Sequence, residues 1–64
     1  MKVKVKGKIE KEVIVKKGIV KEVLEKLKIS ENDVLISLDG DLLVSSAVVK
    51  EGDVIELIDV VSGG

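Results

Sequence analysis

The 64-residue chain has no cysteine, no histidine, no arginine and no aromatic residue. Without cysteine there is no disulfide framework and no thiolate metal site, and an oxidising compartment is not needed to explain its stability. Without histidine the usual zinc ligands and the commonest general base are missing. Without arginine or an aromatic ring there are no bidentate base contacts and no stacking platforms, so the lysines of the N-terminal part read as a solvated strand face and not as a nucleic-acid site. No apolar run approaches the roughly 20 residues that cross a bilayer, and the N-terminus alternates Lys with Val where a signal peptide would carry a continuous apolar stretch. The expectation is a soluble, cytoplasmic protein that binds neither membrane nor nucleic acid.

What remains is 45% hydrophobic and 36% charged. A core without aromatics must be built from Val, Ile and Leu, which favours strands. A chain of this length makes one domain, buries only about 60% of its unfolded surface and leaves no room for a deep pocket. The net charge of −1 hides an asymmetry. Through Lys17, seven lysines face Glu10 and Glu12, a balance of +5, whereas from Ile29 onward Lys50 stands alone against eight acids, a balance of −7. Solvated surface accounts for the acidic half, with an electrostatically complementary basic partner as the sharper alternative.

Periodicity divides the chain into elements. Lys2, Lys4 and Lys6 alternate with Val3 and Val5, and Val13 and Val15 flank Ile14 in a second run from Glu12 to Lys16. Both are half-buried strands by their period of two. A two-residue turn at Gly7-Lys8 would mix their faces, so the pattern predicts a loop over 7–11, with Val5 opposite Val13, Val3 opposite Val15 and Lys6 opposite Glu12. After Gly18, the positions Ile19, Val20, Val23, Leu24 and Leu27 form one helical face, with Lys21, Glu22, Glu25, Lys26 and Lys28 opposite. Glu22 and Lys26 are spaced as an i,i+4 ion pair. Gly18 offers no capping oxygen, so the helix depends on packing more than on its start signal. A strand over 34–38 stops at the turn dipeptide Asp39-Gly40, a short edge strand covers 42–44, Val49 is buried beneath irregular chain, and a last strand spans 54–59.

The order hairpin, helix, strand, short strand, strand predicts a small α+β domain, one helix laid on a mixed sheet of four to five strands. The first and last strands pair in parallel at its centre, because the intervening chain supplies the long crossover that parallel neighbours need. The domain covers 1–59, and 60–64 form a tail.

No side-chain chemistry stands out. The serines have no histidine to activate them, and the carboxylates scatter through turns. Asp39-Gly40-Asp41 is a fragment of a calcium loop without its remaining ligands, so no metal site is expected. The expectation is a protein that is not itself an enzyme. One reactive group remains, the terminal carboxylate of Gly64. Two glycines in the last two positions occur by chance roughly once in 200 chains. Five residues leaving a central strand can extend at most about 17 Å, far enough to enter a partner's active site. Gly63 and Gly64, lacking Cβ atoms, can thread a narrow channel. A carboxylate with a pKa of roughly 3.5 is ionised and a poor electrophile at neutral pH, so it must be activated, for instance by ATP as an acyl-adenylate.

The terminal "VVSGG", the preceding "KEGDVIEL", the strand and turn "VLISLDG" and the helix "VKEVLEKLKI" occur in the order seen in the ThiS/MoaD sulfur carriers of the ubiquitin-like β-grasp fold, which the chain resembles over nearly its whole length. The short length is closer to ThiS. The resemblance implies that a ubiquitin-activating-type enzyme adenylates Gly64 with its own ATP, that persulfide sulfur converts it to a thiocarboxylate, and that a biosynthetic enzyme such as a thiazole synthase of the thiamin pathway accepts the sulfur. No permanently bound cofactor is implied. Two departures from the family pattern are the absence of Ser or Thr in "KKGIV" at the helix start and the slightly long hairpin loop "GKIEKE". Alternatives from the same chemistry are a molybdopterin-type carrier and a modifier conjugated through Gly64; a plain interaction module is the alternative without it. Docking needs a surface besides the tail, and the sheet face away from the helix offers Ile14, Leu35, Val54 and Ile58 among Lys4, Ser37 and Glu56, continued by Val60 and Val61.

Overall fold

Alternating valine and lysine produce strand β1 (Lys2–Gly7), whose Val3 and Val5 are buried while its lysines stay in water. It is followed by β2 (Lys11–Ile14), helix α1 (Val20–Leu27), β3 (Val34–Leu38), β4 (Asp41–Leu43) and β5 (Val54–Asp59). This computed structural model describes residues 1–60. The strands form one five-stranded sheet in the order β2-β1-β5-β3-β4. β1 and β5 run parallel at the centre, and the other pairs are antiparallel. With helix α1 covering one face, this is the α+β arrangement that the order of elements predicts, and it is the ubiquitin-like β-grasp fold that the family resemblance implies.

The hairpin differs from its predicted register. Val3 lies opposite Val13, Lys4 opposite Glu12 and Val5 opposite Lys11. Both strands keep the predicted faces, since the pairing moves by an even number of residues, but Glu12 meets Lys4 and not Lys6. The reason lies on the other side of β1. Lys6 and Gly7 pair with Glu56 and Leu57 of β5, the Lys8 amide donates to the Leu57 carbonyl at 2.9 Å, and Ile9 folds back against the core. The loop is therefore shorter, and β2 begins one residue earlier than predicted, at Lys11. The ladder continues past β2, where Met1 and Val15 exchange two hydrogen bonds.

Helix α1 starts without a capping side chain, as Gly18 predicts; Ile19 occupies the cap position in an extended conformation. Its first amides are satisfied by tertiary partners instead, Val20 by the Ala47 carbonyl at 3.0 Å and Lys21 by that of Ser45 at 2.8 Å. The irregular chain over 44–50 thus runs beneath the helix start, burying Val49 as predicted. At the other end Lys28 adopts the left-handed conformation, φ 59°, and the Ile29 amide reaches back to the Leu24 carbonyl, a Schellman closure. Ile29 then packs against the core.

The core lies between helix and sheet. Val3, Val5, Val13 and Val15 come from the hairpin, Val20, Val23 and Leu24 from the helix, and Val34, Ile36, Val49, Ile55 and Leu57 from the second half. Ile55 and Leu57, on the central strand, are among the most completely enclosed. Apart from Val49, which lies in irregular chain, these residues share the inward parity of their strands or the inner face of the helix; Leu38, of the same parity in β3, is half-buried at the hairpin end.

Candidate functional site

The sheet face opposite the helix is built by the same alternation that fills the core. Each strand places its odd-one-out side chains there: Lys4 of β1 beside Val54 of β5, Lys6 beside Glu56, and Ser37 of β3 between Glu56 and Leu42 of β4. Leu35 and Ile58 are direct cross-strand neighbours, 47% and 40% exposed. Val60 follows two positions beyond Ile58 on the same face and is also exposed. Leu42 and Val44 add to this apolar area, and Leu35, Leu42 and Val44 line one shallow concavity of about 270 Å³.

The structure therefore brings together Leu35, Ile58 and Val60 of the predicted set, and separates two others. Ile14 sits on the far edge strand opposite Lys2, and Val54 sits at the opposite end of β5 next to Lys4, with Glu56 and Ser37 between it and Ile58. Leu42 and Val44 are the residues that sequence reasoning missed. Their signal is the alternation of "DLLV", in which two large aliphatics share the parity of the solvent face.

The apolar area lies beside the root of the C-terminal segment. The amide of Val60 donates to the Asp33 carbonyl at 3.2 Å, so the residue that opens the predicted tail is still tied to the sheet. On the other flank the Lys8 ammonium donates to Asp59 Oδ1 at 2.6 Å. The predicted working residues Gly63 and Gly64, and Val61, lie outside the described residues.

A larger concavity, about 520 Å³, opens between the hairpin and the helix start and is lined by Lys16, Lys17, Lys21, Lys26, Glu22 and Glu25. Its natural anion site is already filled. The Glu22 carboxylate accepts hydrogen bonds from the amides of Lys16 at 2.6 Å, Lys17 at 2.7 Å and Gly18 at 3.2 Å. The predicted Glu22–Lys26 ion pair is replaced by this arrangement, because three converging backbone donors hold a carboxylate in better geometry than one flexible ammonium. These bonds, that from Lys16 foremost, hold the Glu22 carboxyl below the usual carboxylate range, and the nearby Lys26 charge acts in the same direction.

Among the described residues no three acidic side chains gather in a way that could hold a metal ion, and no helix is long and apolar enough to cross a membrane. The described residues place β5 at the centre of the sheet, with an apolar area on one face beside its C-terminal end. A family model described as the ThiS family matches residues 3–64, a span that includes the sheet, the helix and the segment beyond β5. The chain belongs to the ThiS family, whose members are small sulfur carriers working with adenylating and sulfur-accepting enzymes.

Proposed function

We propose that the protein carries sulfur on the C-terminal carboxylate of Gly64 for thiazole formation in thiamin biosynthesis, as a cytoplasmic co-substrate of a ubiquitin-activating-type enzyme. In the first step a Gly64 carboxylate oxygen attacks the α-phosphorus of the partner's ATP, and pyrophosphate leaves. Persulfide sulfur on a partner then attacks the acyl carbon and AMP departs with the electron pair. A second thiol cleaves the resulting acyl disulfide, so that the thiocarboxylate is released as the two partner thiols are oxidised to a disulfide. An acceptor enzyme such as a thiazole synthase takes the sulfur. The protein supplies the acyl group and a handle; the partners supply ATP and the catalytic side chains.

The observation that carries this reading is the family match running through Gly63 and Gly64, in a chain without cysteine or histidine to act in their place. The apolar area of Leu35, Ile58, Val60, Leu42 and Val44 supports it as a docking face, because it adjoins the segment that must be delivered. Its test is ATP–pyrophosphate exchange by the cognate adenylating enzyme. The full chain should support exchange, and a chain lacking Gly64 should not; full exchange with the truncated chain would refute the assignment of Gly64.

A further inference from the structure

We infer that Lys8 is a positioning residue, which holds the end of β5 at Asp59, the root from which the chain runs on to Gly64. The inference rests on the carrier reading given above for its functional consequence, but its structural content stands on contacts within the described residues. β1 ends on Gly7, φ 95°, packed so closely against β5 that a Cβ at this position would collide with the Leu57 carbonyl oxygen. That approach lets the next amide, Lys8, donate to the same carbonyl at 2.9 Å. With its backbone held there, Lys8 extends its ammonium two residues along β5 to Asp59 Oδ1 at 2.6 Å. On the opposite flank, the Val60 amide is bonded to the Asp33 carbonyl. The end of β5 is thus held from both sides, by Lys8 just after β1 and by Asp33 just before β3.

Asp59 lies where this grip matters. It is the final residue of β5, beyond the last register pair that β1 makes with that strand, and among the described residues the Lys8 side chain is what bonds to it from the β1 side. The helix and the buried core end before it; Asp59 and Val60 are both exposed. A segment anchored by backbone bonds on one side alone can swing about that side. A charge-assisted bond on the other side reduces this freedom and raises the fraction of docked complexes that present the carboxylate in reactive geometry. The Lys8 and Asp59 side chains are not part of the apolar docking face of Leu35, Leu42, Val44, Ile58 and Val60, so loss of this contact should lower kcat and leave KM for the protein substrate nearly unchanged. The ion pair is solvated, its side chains 38% and 60% exposed, so its contribution is that of a surface pair, which corresponds to a change in kcat of about threefold.

The test compares wild type, Lys8→Ala, Lys8→Arg, Lys8→Asp, Asp59→Lys and the swapped double variant Lys8→Asp/Asp59→Lys. Two readouts are used: steady-state adenylation by the cognate enzyme, and backbone amide order parameters of Ile58, Asp59 and Val60 by NMR relaxation. The expected result is a kcat lowered about threefold at unchanged KM in Lys8→Ala and the single charge reversals, near-normal kcat in Lys8→Arg, and recovery in the double swap. Order parameters at Asp59 and Val60 should fall in Lys8→Ala from the rigid-strand value of about 0.85. Unchanged order parameters and unchanged kcat with an active wild type would overturn the positioning role alone. A raised KM that the swap does not repair would also overturn it, since Lys8 would then be touching the partner. A wild type that is not adenylated at all would refute the carrier reading, while the order parameters would still decide whether Lys8 holds the root.

Discussion

Replacing Gly7 by alanine tests how the two central strands are locked. Gly7 and Gly40 both have positive φ, 95° and 86°, but a Cβ at Gly40 would meet nothing within 4 Å, whereas one at Gly7 would collide with the Leu57 carbonyl oxygen and lie 3.2 Å from Glu56 Cγ. Both substitutions incur the strain of an L-residue at positive φ, about 1–2 kcal/mol. Gly7→Ala must in addition push the end of β1 away from β5, which weakens the Lys8–Leu57 hydrogen bond and costs about 1–2 kcal/mol more. The expected losses are therefore about 2–4 kcal/mol for Gly7→Ala and about 1–2 kcal/mol for Gly40→Ala. A domain of this size has a total stability of about 3–10 kcal/mol, so the first change removes a large part of it. At roughly 4–8 °C per kcal/mol, the Gly7→Ala midpoint should drop by about 10–30 °C. The assay is urea and thermal unfolding followed by far-UV circular dichroism, because a chain without aromatic residues has no intrinsic fluorescence signal. Equal losses for the two substitutions would show that β1 and β5 do not approach as closely as described.

Glu22→Gln should destabilise the fold near neutral pH, because the charge that accepts from Lys16, Lys17 and Gly18 is removed. The folded-state pKa of Glu22 is depressed, so its contribution is fully present above the unfolded carboxylate value and is lost as pH falls from there through the folded value. The stability gap between wild type and Glu22→Gln should consequently narrow on acidification, measured by urea titrations at stepped pH; a gap independent of pH would contradict the carboxylate nest. Leu35→Thr with Ile58→Thr should leave the unfolding midpoint within a few degrees but raise KM for the adenylating enzyme about tenfold or more, since each half-exposed side chain contributes about 1 kcal/mol when covered. An unchanged KM would remove the apolar area from the docking surface.

Much of this fold is legible along the chain because the period-two and helical patterns are nearly free of exceptions. β3 and β5 fall on their predicted residues, and Asp39-Gly40 forms the predicted turn, with both residues at positive φ as a tight hairpin requires. The hairpin register was not legible, for a physical reason. Faces are set by parity, which two registers share, while the choice between them came from Gly7 and Lys8 binding β5, more than forty residues away. The partners of Glu22 escape the sequence for a similar reason: spacing along a helix exposes its i,i+4 partner but not the amides of the preceding loop folded over its start. Of the candidate site, the aliphatics on the solvent face could be read from alternation, yet only the strand order showed that Leu35 and Ile58 touch while Ile14 and Val54 stand apart. The Lys8–Asp59 contact joins residues from opposite ends of the sequence and leaves no local pattern.

The most direct test of the proposed role is the intact mass of the protein isolated from its native host, with fragmentation to locate any change. Carriage of sulfur predicts a fraction of chains with an oxygen-for-sulfur mass increase confined to Gly64. Branched conjugates joining Gly64 to a lysine of another protein would instead make it a modifier, and a uniformly unmodified terminus in the presence of active partner enzymes would contradict sulfur carriage at Gly64 altogether.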